Sequence, residues 1–144
     1  MAAGSGIIDA VIAAFLGSLI GWERDRAGKS AGPRTMALVC ASSAVIVAIG
    51  AVMDVEAKYG DPTRALHAVI TGIGFLGAGL IFTNTRAGSS GIGGVTTAAT
   101  VFATAAVGVG VGLGFQVAAA GLTLVILIIL RSTQVIEATT NRHD

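Results

Sequence analysis

The feature that most constrains this chain is a long stretch without charge. From Ala87 to Leu130, 44 residues run without a single Asp, Glu, Lys, Arg or His. As one helix the stretch would extend roughly 66 Å at ~1.5 Å per residue, about twice the ~30 Å hydrocarbon core of a bilayer. It therefore predicts two membrane spans folded back on each other. The rest of the chain agrees: 12% of its residues are charged, against about 25% in soluble domains. Its 144 residues suffice for one domain.

Apolar runs separated by charged or glycine-rich stretches predict an all-α, polytopic transmembrane protein of about five spans. These are Ile7–Trp22, Thr35–Met53, Ala65–Phe82, Val95–Val111 and Phe115–Leu130. Gly108, Gly110, Gly112 and Gly114 are read as the turn or kink between the last two. Positive charge follows the first apolar run instead of preceding it, so that run reads as a retained span and not a secretory signal. Residues 1–131 form the membrane domain and 132–144 a short cytoplasmic tail.

Orientation follows from the basic residues. Arg24, Arg26, Lys29, Arg34, Arg86, Arg131 and Arg142 fall on one side, and Lys58 and Arg64 on the other. This places the N-terminus outside and the C-terminus in the cytoplasm. Lipid supplies little hydrophobic drive between helices, so small residues mark their contacts. Ala13, Gly17 and Gly21 share one face, as do Gly108 and Gly112. Thr96, Thr97, Thr100 and Thr104 form a polar span face, read as tight packing with a hydroxyl-lined path as the alternative.

Gly72, Gly74 and Gly77 spell GxGxxG, with Gly79 just after. A dinucleotide site needs a ribose-binding acid about 20 residues on, and no Asp or Glu occurs between Asp61 and Glu137. These glycines read instead as packing positions or as a broken helix exposing carbonyls to an ion. The segment Glu23–Arg34 holds six of the chain's Asp, Glu, Lys and Arg residues. Glu23 and Arg24 immediately follow the Gly17/Gly21 face, at a depth where charges need partners. Arg34 and Thr35 open the second span within reach of Glu23 or Asp25. A buried or interfacial Glu–Arg network at this mouth is the expectation. Asp54, Glu56 and Asp61 cluster in the opposite loop, nearly balanced by Lys58 and Arg64, and read as an ordinary polar loop. Asp9 and His67 are single ionisable groups near the outer interface, and Cys40 is a packing residue. No serine–histidine–acid spacing, His/Cys metal cage or basic–aromatic patch for nucleic acid is present.

The chain resembles the membrane domain of the MgtC/SapB (YhiD-type) family. Four stretches carry the resemblance: GSLIGWERDRAGKSAGPRT from Gly17, DPTRALHAVITGIGFLGAGLIF from Asp61, GVTTAAT from Gly94 and ATAAVGVGVGLG from Ala103. The resemblance implies a bacterial cytoplasmic (inner) membrane protein linked to low magnesium, acid or envelope stress, and in some pathogens to virulence. Its signature falls on Gly21, Glu23, Arg24, Arg26, Gly32, Arg34 and Thr35, then on Arg64, Gly72, Gly74, Phe75, Gly77, Gly79, Thr96, Thr97 and Ala98. Met36 stands where many members have histidine, and Phe102 where many have tryptophan.

The resulting expectation is a non-enzymatic stress-adaptation protein that binds or regulates membrane partners. The alternative is a transporter or channel for magnesium or another small ion. The functional charged network is Glu23, Arg24, Arg26, Arg34, Thr35 and Arg64, with no catalytic residue. No cofactor is called for, magnesium entering only as ligand or transported ion, and no metal ligands are assigned. The expected partners are the bilayer, a second copy in a homodimer or small homo-oligomer, and a membrane protein.

Overall fold

The computed structural model describes residues 3–56, 63–84 and 91–140, with side chains described for 6–53, 63–81 and 92–132. Five helices account for nearly all of it: α1 (Ala3–Arg26), α2 (Pro33–Glu56), α3 (Arg64–Leu80), α4 (Val95–Gly112) and α5 (Gln116–Thr140). The five spans read from the sequence each coincide with one helix. Between α3 and α4 lies an antiparallel pair not expected from the sequence, β1 (Phe82–Asn84) with β2 (Gly91–Gly93), Thr83 facing Ile92.

The helix ends have local causes. Basic Arg24 and Arg26 occupy the last turn of α1, where they complement the negative end of the helix dipole. The chain leaves α1 through Gly28 at φ +64°, with Gly28 N–H donating to Asp25 O and Lys29 N–H to Arg24 O. Pro33 starts α2, a position where its missing N–H is harmless. The same exit motif ends α4: Gly114 at φ +85° donates to Val111 O, and Phe115 N–H to Gly110 O at 2.8 Å. Of the four glycines read as a turn, Gly108, Gly110 and Gly112 are therefore helical, and Gly114 alone makes the reversal. The helix persists because each of these N–H groups can bond within it, which in lipid no solvent would replace.

α4 sits at the centre, touching all four other helices, while α1 and α2 form the most extensive pair. One buried cluster joins Ala13, Ile20, Cys40, Ala44, Val107 and Val111 with Ala119, Ile126 and Leu130 of α5. A second joins Met36, Val47, Val69, Ile73, Val101 and Ala105. Large apolar residues lie outside: Ile7 is 72% exposed, Phe75 81% and Val117 89%. Small and polar residues inside with bulky apolar ones outside suit a lipid surround, since a soluble fold could not leave so much of that surface bare.

α1, α2 and α4 are long and apolar enough to cross a membrane, whereas the apolar parts of α3 and α5 are shorter, Arg64–Leu80 and Gln116–Ser132. α5 continues as helix to Thr140, so no structural break separates residue 131 from the tail.

Candidate functional site at the charged end of the bundle

The site begins with two glycines. A Cβ on Gly17 would run into the carbonyl of Met36, and one on Gly21 would lie 2.5 Å from Pro33 Cα. Their bare Cα atoms let the first turn of α2 rest directly on α1. Arg24 lies one turn beyond Gly21 on the same stripe of α1, so it is carried inward where a surface arginine would point to water. It is 3% exposed, and its Nη2 donates to Thr97 Oγ1 of α4 at 3.3 Å. Its Nε has no hydrogen-bond partner among the described residues. Glu23, the preceding residue, is 7% exposed. The structure thus joins Arg24 to Thr97 near the end of α1, with Glu23 buried beside Arg24 in the chain.

The other members of the expected network are exposed, and one of them lies at the far end. Arg26 is exposed, its guanidinium 4.9 Å from the ring centroid of Trp22. Arg34 and Thr35 are exposed on the first turn of α2. They lie close to the end of α1, since Pro33 packs on Gly21, but at the surface, so any share they take in the network is interfacial. Arg64 is exposed and starts α3. Its neighbour Ala65 meets Gly50, where a Cβ would collide with Ala65 Cβ. Gly50 lies about 25 Å along α2 from Pro33 at ~1.5 Å per residue. Arg64 therefore belongs to the opposite end of the bundle and cannot join Glu23.

The threonines divide. Thr97, Thr100 and Thr104 are buried, and Thr96 is exposed. Thr100 Oγ1 donates to Thr96 O at 2.7 Å and Thr104 Oγ1 to Thr100 O at 2.8 Å, with Met36 Sδ 3.4 Å from Thr104 Oγ1. These hydroxyl protons are used within α4 itself, as expected of threonine in a packed apolar helix.

The glycines divide too. Gly108 and Gly112 pack on α2, where a Cβ would strike the carbonyls of Cys40 and Ala44. Gly17, Gly21, Gly108 and Gly112 are thus contacts inside one protomer. Gly72, Gly74 and Gly79 meet nothing within 4 Å, and Gly77 stands 3.8 Å from Ala98 Cβ at ordinary contact. α3 runs unbroken through all four. The broken-helix alternative for Gly72–Gly79 is therefore set aside: the backbone keeps its internal bonds, and three of these glycines face outward.

At the other end Asp9, 7% exposed, accepts a hydrogen bond from Gln116 Nε2 at 2.9 Å, tying α1 to the start of α5. The sequence singles out Asp9 but not Gln116. A lone polar residue beside a turn carries no signal until the turn brings it against a buried acid.

Among the described residues no group of three or more His, Cys, Asp and Glu is placed to hold a metal. The Asp54, Glu56 and Asp61 cluster, with Lys58, lies outside the described side chains, as do Arg86 and Arg142.

A bundle of apolar helices with a lipid-type exterior and a buried arginine at one boundary defines a helical membrane protein. The chain belongs to the MgtC family, whose model matches residues 10–139. It is 37% identical to Protein SrpB of Synechococcus elongatus over 105 residues, covering 68% of this chain and 58% of that protein. It is 39% identical to Protein MgtC of Brucella abortus, over 65% of this chain and 37% of that one. It is also 37% identical to the Escherichia coli protein named "Putative magnesium transporter YhiD", over 71% of this chain and 48% of that one. The chain thus spans about half the length of the curated relatives it matches. No solved structure matches it significantly.

Proposed function

We propose that the chain is a multi-pass protein of the bacterial cytoplasmic membrane, N-terminus outside, that acts without catalysis by binding and regulating membrane partners. Its setting is the magnesium- and stress-related adaptation its family implies. The observation that supports this most is where charge and packing fall. Glu23 and Arg24 sit at one end beside exposed Arg26, Lys29 and Arg34, a surface suited to docking. The middle of the bundle is closed by the contacts of Gly108 and Gly112 with the α2 backbone. A conduit for ions would have to part those contacts. Homo-oligomerisation also belongs to this proposal, but Gly17, Gly21, Gly108 and Gly112 are used within the protomer, so copies must meet through other faces.

The second reading, magnesium transport, is favoured by the name of the YhiD relative. The deciding experiment is magnesium flux into proteoliposomes of the purified chain, beside Glu23→Gln. Saturable flux that the substitution abolishes would overturn the regulator reading. Absence of flux from folded, inserted protein, together with partner cross-links from a photoreactive residue at Lys29, would support it.

A further inference from the structure

We infer that Arg24 and the first turn of α4 form a receptor for a phosphate group, borne by an anionic lipid headgroup or present as free phosphate. Two independent observations converge. The first is the arginine itself. A guanidinium carries five N–H donors in a planar fork, yet among the described residues the one hydrogen bond of the Arg24 side chain is the 3.3 Å contact to Thr97. Its Nε has no such partner, although the side chain is 3% exposed. A cation held this way at a membrane boundary calls for an anion.

The second is what the arginine points at. Thr97 is the third residue of α4. The first backbone bond of that helix is Ala98 N–H to Gly94 O at 2.9 Å, and its N-cap residue, Gly94, supplies no side-chain cap. The N–H groups of Val95, Thr96 and Thr97 therefore have no partner within the helix. The chain enters through Gly94 at φ +84°, a residue with no side chain of its own. A helix N-terminus carries about half a positive charge. Placing a buried guanidinium within its first turn sets like charges together, an arrangement that an oxyanion between them reverses.

The donor set matches a tetrahedral oxyanion. The free edge of the guanidinium addresses one or two oxygens, as arginine does with phosphate. The α4 amides address another, in the manner of phosphate at helix N-termini. Thr97 Oγ1, which accepts from Arg24, keeps its own proton to donate. Glu23, one residue earlier and about 100° away around α1, is buried as well. The exposed Arg26, Lys29 and Arg34 nearby would draw anions toward this end.

The test uses the full chain in phosphatidylcholine nanodiscs and reads the fluorescence of Trp22, the chain's one tryptophan, two residues from Arg24. One arm titrates phosphatidylglycerol into the bilayer, and the other adds inorganic phosphate with chloride as control. Saturable response to the lipid alone assigns the site to a headgroup, and response to phosphate assigns it to the free ion. In either arm Arg24→Gln should weaken binding about tenfold or more, the effect of losing charge-assisted hydrogen bonds, while Arg131→Gln should leave it unchanged. Equal weakening by both substitutions would reduce the effect to general surface charge and overturn the inference. Absence of any response in the unmodified protein would overturn it without recourse to a variant that might misfold.

Discussion

Gly108→Ala and Gly72→Ala are the same chemical change on two apolar helices, and the structure requires them to act with opposite sign. At Gly72 the new methyl meets nothing within 4 Å. There the substitution removes the conformational freedom of glycine and should stabilise α3 by about 0.5–1 kcal/mol. At Gly108 the methyl would fall onto Cys40 O and within 3.0 Å of Ser43 Cβ. The obstacle is backbone, so no rotamer change relieves it, and α2 must move off α4 by about 1 Å to restore ordinary contact. A gap of ~0.5–1 Å forfeits a quarter to a half of each dispersion contact along that interface. Overpacking of this kind costs about 1–3 kcal/mol, and the rigid obstacle places Gly108 toward the upper figure. After the gain of about 1 kcal/mol in helix propensity, a net loss of about 2 kcal/mol remains. Gly112→Ala should behave alike, striking Ala44 O. Because one displacement of α2 relieves both clashes, the double substitution should cost less than the sum of the singles. Reversible unfolding in mixed detergent micelles, followed by Trp22 fluorescence, measures all four variants. Shifts of equal size and sign for Gly108→Ala and Gly72→Ala would refute the α2–α4 contact geometry.

Other perturbations follow from the same geometry. Gln116→Leu should destabilise the fold by about 1–3 kcal/mol, the cost of leaving a buried polar group unbonded, because Asp9 loses its 2.9 Å donor; Asp9→Asn, which keeps an acceptor oxygen, should be milder in the same unfolding assay. Thr97→Val should cost about 1.5–3 kcal/mol by removing the acceptor of a charged donor, whereas Thr100→Val, whose hydroxyl bonds its own helix, should cost less. Cys40, fully buried, should resist a maleimide in the folded protein and react as the bundle unfolds, tracking the fluorescence transition. That protection makes Lys29→Cys a clean orientation probe: labelling by an impermeant maleimide only from the cytoplasmic side supports the proposed topology, and labelling only from outside refutes it.

How much of this was legible in the sequence depends on which physical constraint wrote it there. Charge is costly in lipid, so the desert after Ala87 and the runs before it mark the helices directly. The face formed by Gly17 and Gly21 was legible because spacing on one helix predicts a stripe. The short strands around Thr83 and Ile92 were not, since three-residue strands built partly of glycine carry neither alternation nor β-branched runs. The separation of Arg64 from Glu23 was legible too, since the distribution of basic residues puts them on opposite sides and Ala65 indeed meets Gly50 at the far end of α2.

The glycines show the limit most clearly. Gly72, Gly74 and Gly79 are as densely spaced as Gly108 and Gly112, and all five are helical. What separates them is a partner's backbone at the missing Cβ, a property of two helices together and not of either alone. Arg24 falls under the same argument. Its neighbour Arg26 lies in the same last turn of α1, yet one stacks outside on Trp22 and the other reaches Thr97 inside. The difference is a phase of about 200° around the helix, made decisive by Gly21, whose contact with Pro33 fixes the side of α1 that faces inward. A larger residue at position 21 should therefore act on the arginine as well as on packing: by lifting α2 away it would admit water to Arg24 and weaken the hold of Thr97. Gly21→Leu is then expected to lower stability and to weaken phosphate-group binding together. Loss of stability with binding unchanged would show that Arg24 is positioned independently of the α1–α2 contact.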